Sequence, residues 1–126
     1  MHLMSRQDVV PLETEHGEII HELIGRGMGT PTERHSVAYV TIPPGKSSLL
    51  HSHPVAEESY FILRGEARMI IDHEQAVLSP GQAVLIPANH VHQIANIGQM
   101  DLEFLAFCVP AWEPTNTVFP DEADDG

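Results

Sequence analysis

The sequence predicts an all-β protein whose short strands close into a barrel. Turn signals recur along the chain, and between them lie short segments rich in β-branched and apolar residues. No segment shows a long helical period, and the prolines stand at segment boundaries, where a missing backbone N–H costs little. Strands at this spacing are typical of a barrel or sandwich and not of alternating strand–helix units.

The strands follow one another between clusters of glycine, proline, asparagine and aspartate. We expect them over residues 18–24, 37–42, 47–53, 59–63, 67–71, 83–86, 90–96 and 102–109, with a helical turn within 4–10. A glycine-rich loop separates the first strand from the others. That strand can therefore pack on its own barrel or pair with a second subunit, and the sequence leaves both arrangements equally open.

The 126 residues fit one domain over 1–126, with 1–16 as an N-terminal arm and 113–126 as an acidic C-terminal tail. The first residues lack the apolar segment of a signal peptide, and no run of 18 apolar residues occurs, so we expect a cytoplasmic protein. A net charge of -12 repels phosphate backbones and anionic lipid, which predicts no nucleic-acid or membrane partner. The single cysteine cannot form an internal disulfide.

Histidines and carboxylates form pairs along the middle of the chain. The pairs are His51 and His53, Glu57 and Glu58, and His90 and His92. Residues two apart on a strand point to the same face, and imidazoles combined with a carboxylate suit first-row transition metals. On the spacing alone, a metal site and a surface coincidence are equally open.

Nine residues in this region stand at the spacing of two known motifs. The first motif is matched by Gly45, His51, His53, Glu58 and Gly65, and the second by Gly81, Pro87, His92 and Asn96. In these positions the chain resembles the cupin superfamily, in particular its small single-domain metal-binding members, whose fold is the double-stranded β-helix or jelly-roll barrel. Asn89 stands where the family has glycine, and asparagine tolerates the left-handed backbone that such a turn needs.

The resemblance implies a metal site and its ligands. His51, His53, Glu58 and His92 are expected to bind one divalent transition metal per chain, which would be Mn, Fe, Ni, Cu, Co or Zn. Four protein ligands on a six-coordinate metal leave positions open for water or substrate. A shifted strand register that makes Glu57 the ligand is a minor alternative.

By analogy with the family, we expect a metal-dependent enzyme acting on a small organic substrate. A dioxygenase or an oxidative cleavage is the first choice. A non-redox isomerase, cyclase or lyase, and a non-catalytic module that binds a metal or small ligand, are the alternatives. Few basic residues lie in the barrel region, which argues against sugar-phosphate and sugar-nucleotide enzymes.

Three further residues are expected near the site. Tyr60 shares the parity of Glu58 and would face the interior, where it could orient a substrate or donate a proton, although simple packing is more common for such a residue. Asn96 shares the parity of His92 and lies near the site or completes a strand-end turn. Cys108 on the last strand is interpreted as a buried, inert thiol.

His16, His90 and the aromatic residues after the last strand are not expected to take part in metal binding. His16 lacks a partner at strand spacing, and His90 is interpreted as a loop residue without a role. Trp112 and Phe119 follow the last strand and are expected to cover a barrel end or a partner's surface. Together with the separable first strand, these aromatics predict a homodimer.

Overall fold

In the computed structural model of the chain, the structure describes residues 1–27 and 30–120. The strands are β1 Leu12–Glu13, β2 Ile19–Gly25, β3 Thr30–Pro31, β4 Ser36–Ile42, β5 Glu57–Arg64, β6 Ala67–Ile71, β7 Glu74–Leu78, β8 Ala83–Ile86, β9 His92–Asn96 and β10 Leu102–Val109. Short 3-10 turns occupy Arg6–Asp8 and Pro114–Asn116. None of the helices described is long and apolar enough to cross a membrane. Residues 121–126 of the predicted acidic tail lie outside the described residues.

The strands form two sheets that enclose one core. The larger sheet has the order β1-β2-β4-β10-β5-β8, with β3 beside β2 in parallel, and the smaller sheet has the order β7-β6-β9. The other pairings between these strands are antiparallel. The core takes side chains from both sheets, including Ile42, Ile62 and Leu102 from the larger and Met69 and Ile94 from the smaller. This is the predicted jelly-roll barrel.

Alternation along the central strands decides which side chains reach the core. On β5, Tyr60 and Ile62 are buried, whereas Phe61 and Leu63 on the opposite face are 37% and 39% exposed. Phe104 on β10 pairs with Ile62 in register, so its ring enters the same layer. Each such side chain contributes about 1.5–3 kcal/mol of burial free energy, and together they fix the register that also orients the site.

Most of the predicted strands are confirmed. The predictions over 67–71, 83–86 and 102–109 coincide with β6, β8 and β10, and the strand predicted over 18–24 pairs with β4 of its own chain. The prediction of a strand over 47–53 was wrong: this segment crosses between the sheets and makes isolated bridges at Ser47, His51 and Ser52. Residues 90–91, predicted as strand, precede β9.

Three strands were not predicted: the two-residue strands β1 and β3, and β7, which is the longest of the three. Four of the five residues of β7 are exposed, and only Leu78 at its end is buried, so the sequence shows no alternation there. Its position is set by the turn before it, where Asp72 adopts a φ of 53° and reverses the chain after β6. The 1–16 segment predicted as an arm contains β1, which forms a hairpin with β2.

The glycine after β5 offers a test of this packing. Gly65 has a φ of +88°, and an added Cβ would lie 2.9 Å from the backbone oxygen of Asp101. Gly81 has nearly the same φ, +89°, but an added Cβ would meet nothing within 4 Å. We expect Gly81→Ala to lower the free energy of unfolding by about 1–3 kcal/mol, because it adds only backbone strain. Gly65→Ala should lower it by about 1–3 kcal/mol more, because its Cβ also clashes with the backbone of Asp101. Urea unfolding of both variants measures the difference, and equal losses would contradict the described turn.

Candidate metal centre

Backbone pairing brings the predicted ligands together from three parts of the chain. Glu58 lies on β5, His92 opens β9, and His51 and His53 belong to the segment between β4 and β5. The amides and carbonyls of His51 and His92 bond reciprocally at 3.1 and 2.8 Å. The amide of Asn89, which has the expected left-handed φ of 66°, donates to the carbonyl of His53 at 2.7 Å. Main-chain hydrogen bonds therefore fix the positions of the histidines before any metal binds.

The four side chains form one tight cluster that can hold a metal ion. One ligand atom from each of His51, His53, Glu58 and His92 lies within 4.8 Å of the others. Oε1 of Glu58 lies 3.1 Å from Nε2 of His92 and 3.4 Å from Nε2 of His53. Three of the residues are buried, and His51 is partly exposed. Glu57, the alternative ligand, is exposed on the other face of β5.

The rings of the three histidines are held through their Nδ1 atoms. The Nδ1 atoms of His51, His53 and His92 lie 2.8, 3.3 and 3.0 Å from the backbone oxygens of Leu49, Asn116 and His90. A carbonyl oxygen only accepts, so each Nδ1 donates its proton, and the lone pair of a neutral ring lies on Nε2. All three Nε2 atoms are thereby available to the cluster, which is the arrangement that metal-binding histidines need.

The electrostatics of the cluster also fit a cation. Burial by itself raises the pKa of Glu58, but its hydrogen bonds with His53 and His92 hold that pKa well below its ordinary value. Burial and the neighbouring charge of His92 lower the pKa of His51 to about 4. Burial opposes charging of His53, but Glu58 raises its pKa above the ordinary value. A buried carboxylate facing imidazole lone pairs needs a proton or a metal between them, so a divalent cation suits these residues.

Cys108 and Tyr60 complete the surroundings of the carboxylate. Sγ of Cys108 lies 3.0 Å from Oε2 of Glu58, and burial raises the pKa of the thiol, so the S–H stays protonated and donates. The thiol is buried as predicted, but it holds Glu58 in place and is not merely inert filling. Tyr60 faces the interior as predicted, with its ring 4.7 Å from Phe104, and burial raises its pKa well above the ordinary value.

A cavity of about 390 Å³ lies beside the cluster. Apolar side chains supply most of its wall, among them Leu12, Ile20, Val40, Leu49, Phe104 and Trp112. Its polar groups are few, and of the described residues that line it none is lysine or arginine. A small organic molecule can therefore reach the metal ligands through a largely apolar space.

The structure gives partners to several residues that the sequence had left unassigned. Trp112 and Phe119, expected at a barrel end or a partner's surface, line the cavity, and the ring centroid of Phe119 lies 6.3 Å from that of His51. His16, expected to lack a partner, lies 2.9 Å from Glu18 on the cavity wall. The signal for this pair was the i, i+2 spacing of His16 and Glu18 just before β2.

Two other residues lie outside the cavity. His90 forms an ion pair with Asp72 through Nδ1, so its side chain has a partner after all. The Asn96 side chain donates to the carbonyls of Ile42 and Met100, each at 2.8 Å, and accepts from the amide of Gly98. Of the two roles predicted for Asn96, the strand-end turn is the one these contacts support.

Comparison with known proteins gives matches over most of the chain. The model of the Cupin domain family matches residues 38–109. An uncharacterized protein of Methanocaldococcus jannaschii, MJ1618, is 33% identical over 109 residues, which is 86% of each chain. An oxalate-binding protein of Thermotoga maritima is 35% identical over 57% of this chain and 60% of that protein.

Solved structures resemble the fold closely. An oxalate decarboxylase of Lactobacillus farciminis, in complex with formate, superposes with a TM-score of 0.80 and 25% identity over 93% of this chain. KdgF from Halomonas sp. superposes with a TM-score of 0.78 and 16% identity over 91% of this chain and 98% of its own. The chain spans only 35% of the oxalate decarboxylase, so that protein's activity does not transfer with the fold.

Adjacent glutamates on β5 test the ligand set. Glu58→Gln keeps the shape of the side chain but removes the negative charge, so we expect it to weaken Mn²⁺ or Zn²⁺ binding by at least about tenfold. Glu57→Gln makes the same change on the exposed face and should leave binding unchanged. Titration with metal, monitored by calorimetry, measures both, with circular dichroism to verify folding. Weaker binding by Glu57→Gln alone would establish the shifted register instead.

Proposed function

The chain belongs to the cupin family, and from that premise we propose that it is a metal-dependent enzyme acting on a small organic substrate. One observation supports the proposal most strongly: three of the four cluster residues, His51, His53 and Glu58, line a cavity of about 390 Å³. A purely structural metal site would be closed on all sides, whereas a catalytic one keeps a side open to substrate. His51, the most exposed of the four, lies on the cavity side of the cluster.

His51, His53, Glu58 and His92 would hold the metal. When bound, a divalent metal there supplies a positive charge that polarises a substrate oxygen. The protein contributes the rest: the Nδ1 hydrogen bonds keep the rings aimed at the cluster, and the Cys108 thiol keeps Glu58 from turning away. The apolar wall limits the water that competes with a substrate for the open side.

The residues of the cavity wall restrict the class of substrate that can bind. Glu18 and Glu22 add carboxylates to the cavity, and the described lining residues include no lysine or arginine to balance them. A dianion such as oxalate, which the names of two relatives mention, would leave its second carboxylate without a cation. We therefore propose a neutral or singly charged substrate with one carbonyl or carboxylate group directed at the metal and an apolar remainder.

The class of reaction depends on which metal the cell supplies. With iron or copper, the dioxygenase or oxidative cleavage expected from the sequence has the redox centre that it needs. With Mn, Co, Ni or Zn, the same ligands serve an isomerase, cyclase or lyase by polarising the substrate. The binding module remains the second candidate, because one curated relative is named an oxalate-binding protein.

Metal analysis of protein purified without an affinity tag tests the proposal. We expect about one divalent metal per wild-type chain and very little in the His51→Ala/His53→Ala double variant, because two of the four ligands are lost. Oxygen uptake with a panel of small carbonyl compounds then separates the redox reactions from the others. A wild-type protein that takes up no metal even after reconstitution would refute the metal-dependent enzyme.

We also propose that the chain forms a homodimer. The sequence arguments pointed to the first strand and the late aromatics, which the structure places against their own barrel. Another surface now supports a dimer: Phe61, Leu63 and Leu85 are 37%, 39% and 55% exposed on the outer face of β5 and β8. An apolar patch of this kind is typical of subunit contacts.

Sedimentation velocity tests the dimer. We expect a species of about twice the 13.9 kDa chain mass, which Phe61→Lys should convert to monomer by burying a charge in the contact. Val77→Lys, at another exposed apolar position, is the control and should leave the dimer intact. Wild-type protein that sediments only at 13.9 kDa would exclude this assembly.

A further inference from the structure

The N-terminal hairpin places an ionisable pair on the cavity wall, away from the metal ligands. Nε2 of His16 lies 2.9 Å from Oε1 of Glu18, and both residues line the cavity. The Glu18 side chain is 17% exposed and that of His16 is 30% exposed, so Glu18 is the more enclosed of the two. A carboxylate held by an imidazole inside a cavity can accept and return a proton.

The local backbone is built to present this pair. The amide of Thr14 donates to the carbonyl of Glu18 at 2.9 Å, and the amide of Gly17 donates to the carbonyl of Thr14 at 3.3 Å. Gly17 adopts a φ of +124°, and an added Cβ would lie 2.7 Å from Cβ of Lys46. Only glycine fits at position 17, beside Lys46. The turn at Gly17 brings His16 next to Glu18. The pair therefore has a fixed geometry and does not depend on a flexible loop.

The pKa of Glu18 is affected by its burial and by the charges of neighbouring groups, including two metal ligands. Burial is the main cause that raises its pKa, His16 lowers it, and the charges of Glu58 and His92 act on it across the cavity. The titratable groups on the wall around it are His16, Glu22, His51, His53, Glu58, Tyr60 and Cys108. Of these, the hydrogen-bond partner of the Glu18 carboxylate is His16. A raised pKa makes this carboxylate a stronger proton acceptor than an ordinary glutamate.

We propose that Glu18 is the proton-transfer residue of this cavity, with His16 as the residue that positions it, and that the substrate gives up a proton next to its metal-directed oxygen. The inference rests on the proposed function. In the forward step a C–H bond next to a carbonyl breaks, its electron pair moves to the carbonyl oxygen to give an enolate, and an O–H bond forms on Glu18. Glu18 then returns the proton to a neighbouring carbon, which gives the isomer; alternatively the enolate re-forms the carbonyl, its electron pair makes a C=C bond, the adjacent bond to a leaving group breaks with its electron pair on that group, and Glu18 protonates the group. No oxidant takes part, so the pair favours a lyase or isomerase.

Acetohydroxamic acid is a suitable probe, because it is neutral at pH 7 and loses one proton when it chelates a metal. We expect zinc-loaded wild-type protein to keep most of that proton on the Glu18–His16 pair. Glu18→Gln should instead release about one proton to the buffer and bind the probe about tenfold more weakly, the equivalent of one pKa unit. Calorimetry in two buffers of different ionisation enthalpy counts the protons released.

Two further variants separate the roles. Glu13→Gln removes an exposed carboxylate from the same hairpin and should match wild type in both proton count and affinity. His16→Gln removes the imidazole that lowers the pKa of Glu18, so the pH dependence of the proton count should move to higher pH, an effect that loss of packing alone would not produce. Equal proton counts in wild type and Glu18→Gln, with the probe bound by both, would overturn the role of Glu18. Failure of every zinc-loaded protein to bind the probe would refute the open metal site itself, and the inference with it.

Discussion

The site depends above all on the buried carboxylate of Glu58. An isolated charge at 6% exposure costs several kcal/mol of solvation, so the fold must surround it with compensating groups. His53 and His92 approach one oxygen, and the Cys108 thiol donates to the other. These partners come from the crossing segment, β9 and β10, so the register of both sheets must be correct before the carboxylate is satisfied.

The residues that stabilise the barrel and the residues that form the metal site lie in different parts of the structure. Aliphatic side chains from both sheets fill the layer around Ile62, whereas the ligands lie where the crossing segment 47–53 meets β9. Core residues of β4, β5 and β10 form one part of the cavity wall, and the N-terminal hairpin and the segment after β10, which are peripheral to that core, form another part. Residues on these peripheral elements can change substrate preference at little cost to folding. Glu18, Trp112 and Phe119 all lie on them.

Sequence and structure agree where the determinants are local. The grouping of His51, His53, Glu58 and His92 was predicted from the resemblance of this region to the two cupin motifs, whereas strand parity alone left a metal site and a surface coincidence equally open. Reasoning from strand parity extended a strand over 47–53, because alternation cannot show that a segment leaves one sheet for the other. The pair of His16 and Glu18 could not be assigned a place, since its position on the cavity wall depends on how the hairpin packs against β4. β7 was missed because an exposed strand carries no apolar pattern.

The charge of the cavity constrains how any substrate can lie in it. The chain carries a net charge of -12, and Glu18 and Glu22 extend this negative character onto the cavity wall. A bound divalent metal would therefore be the main positive centre in an otherwise apolar and acidic space. A substrate oxygen with negative charge would be attracted to the metal and repelled by the two glutamates, which fixes its direction without a basic residue. A carbon next to that oxygen would lie in the same cavity as Glu18, the carboxylate proposed as its proton acceptor.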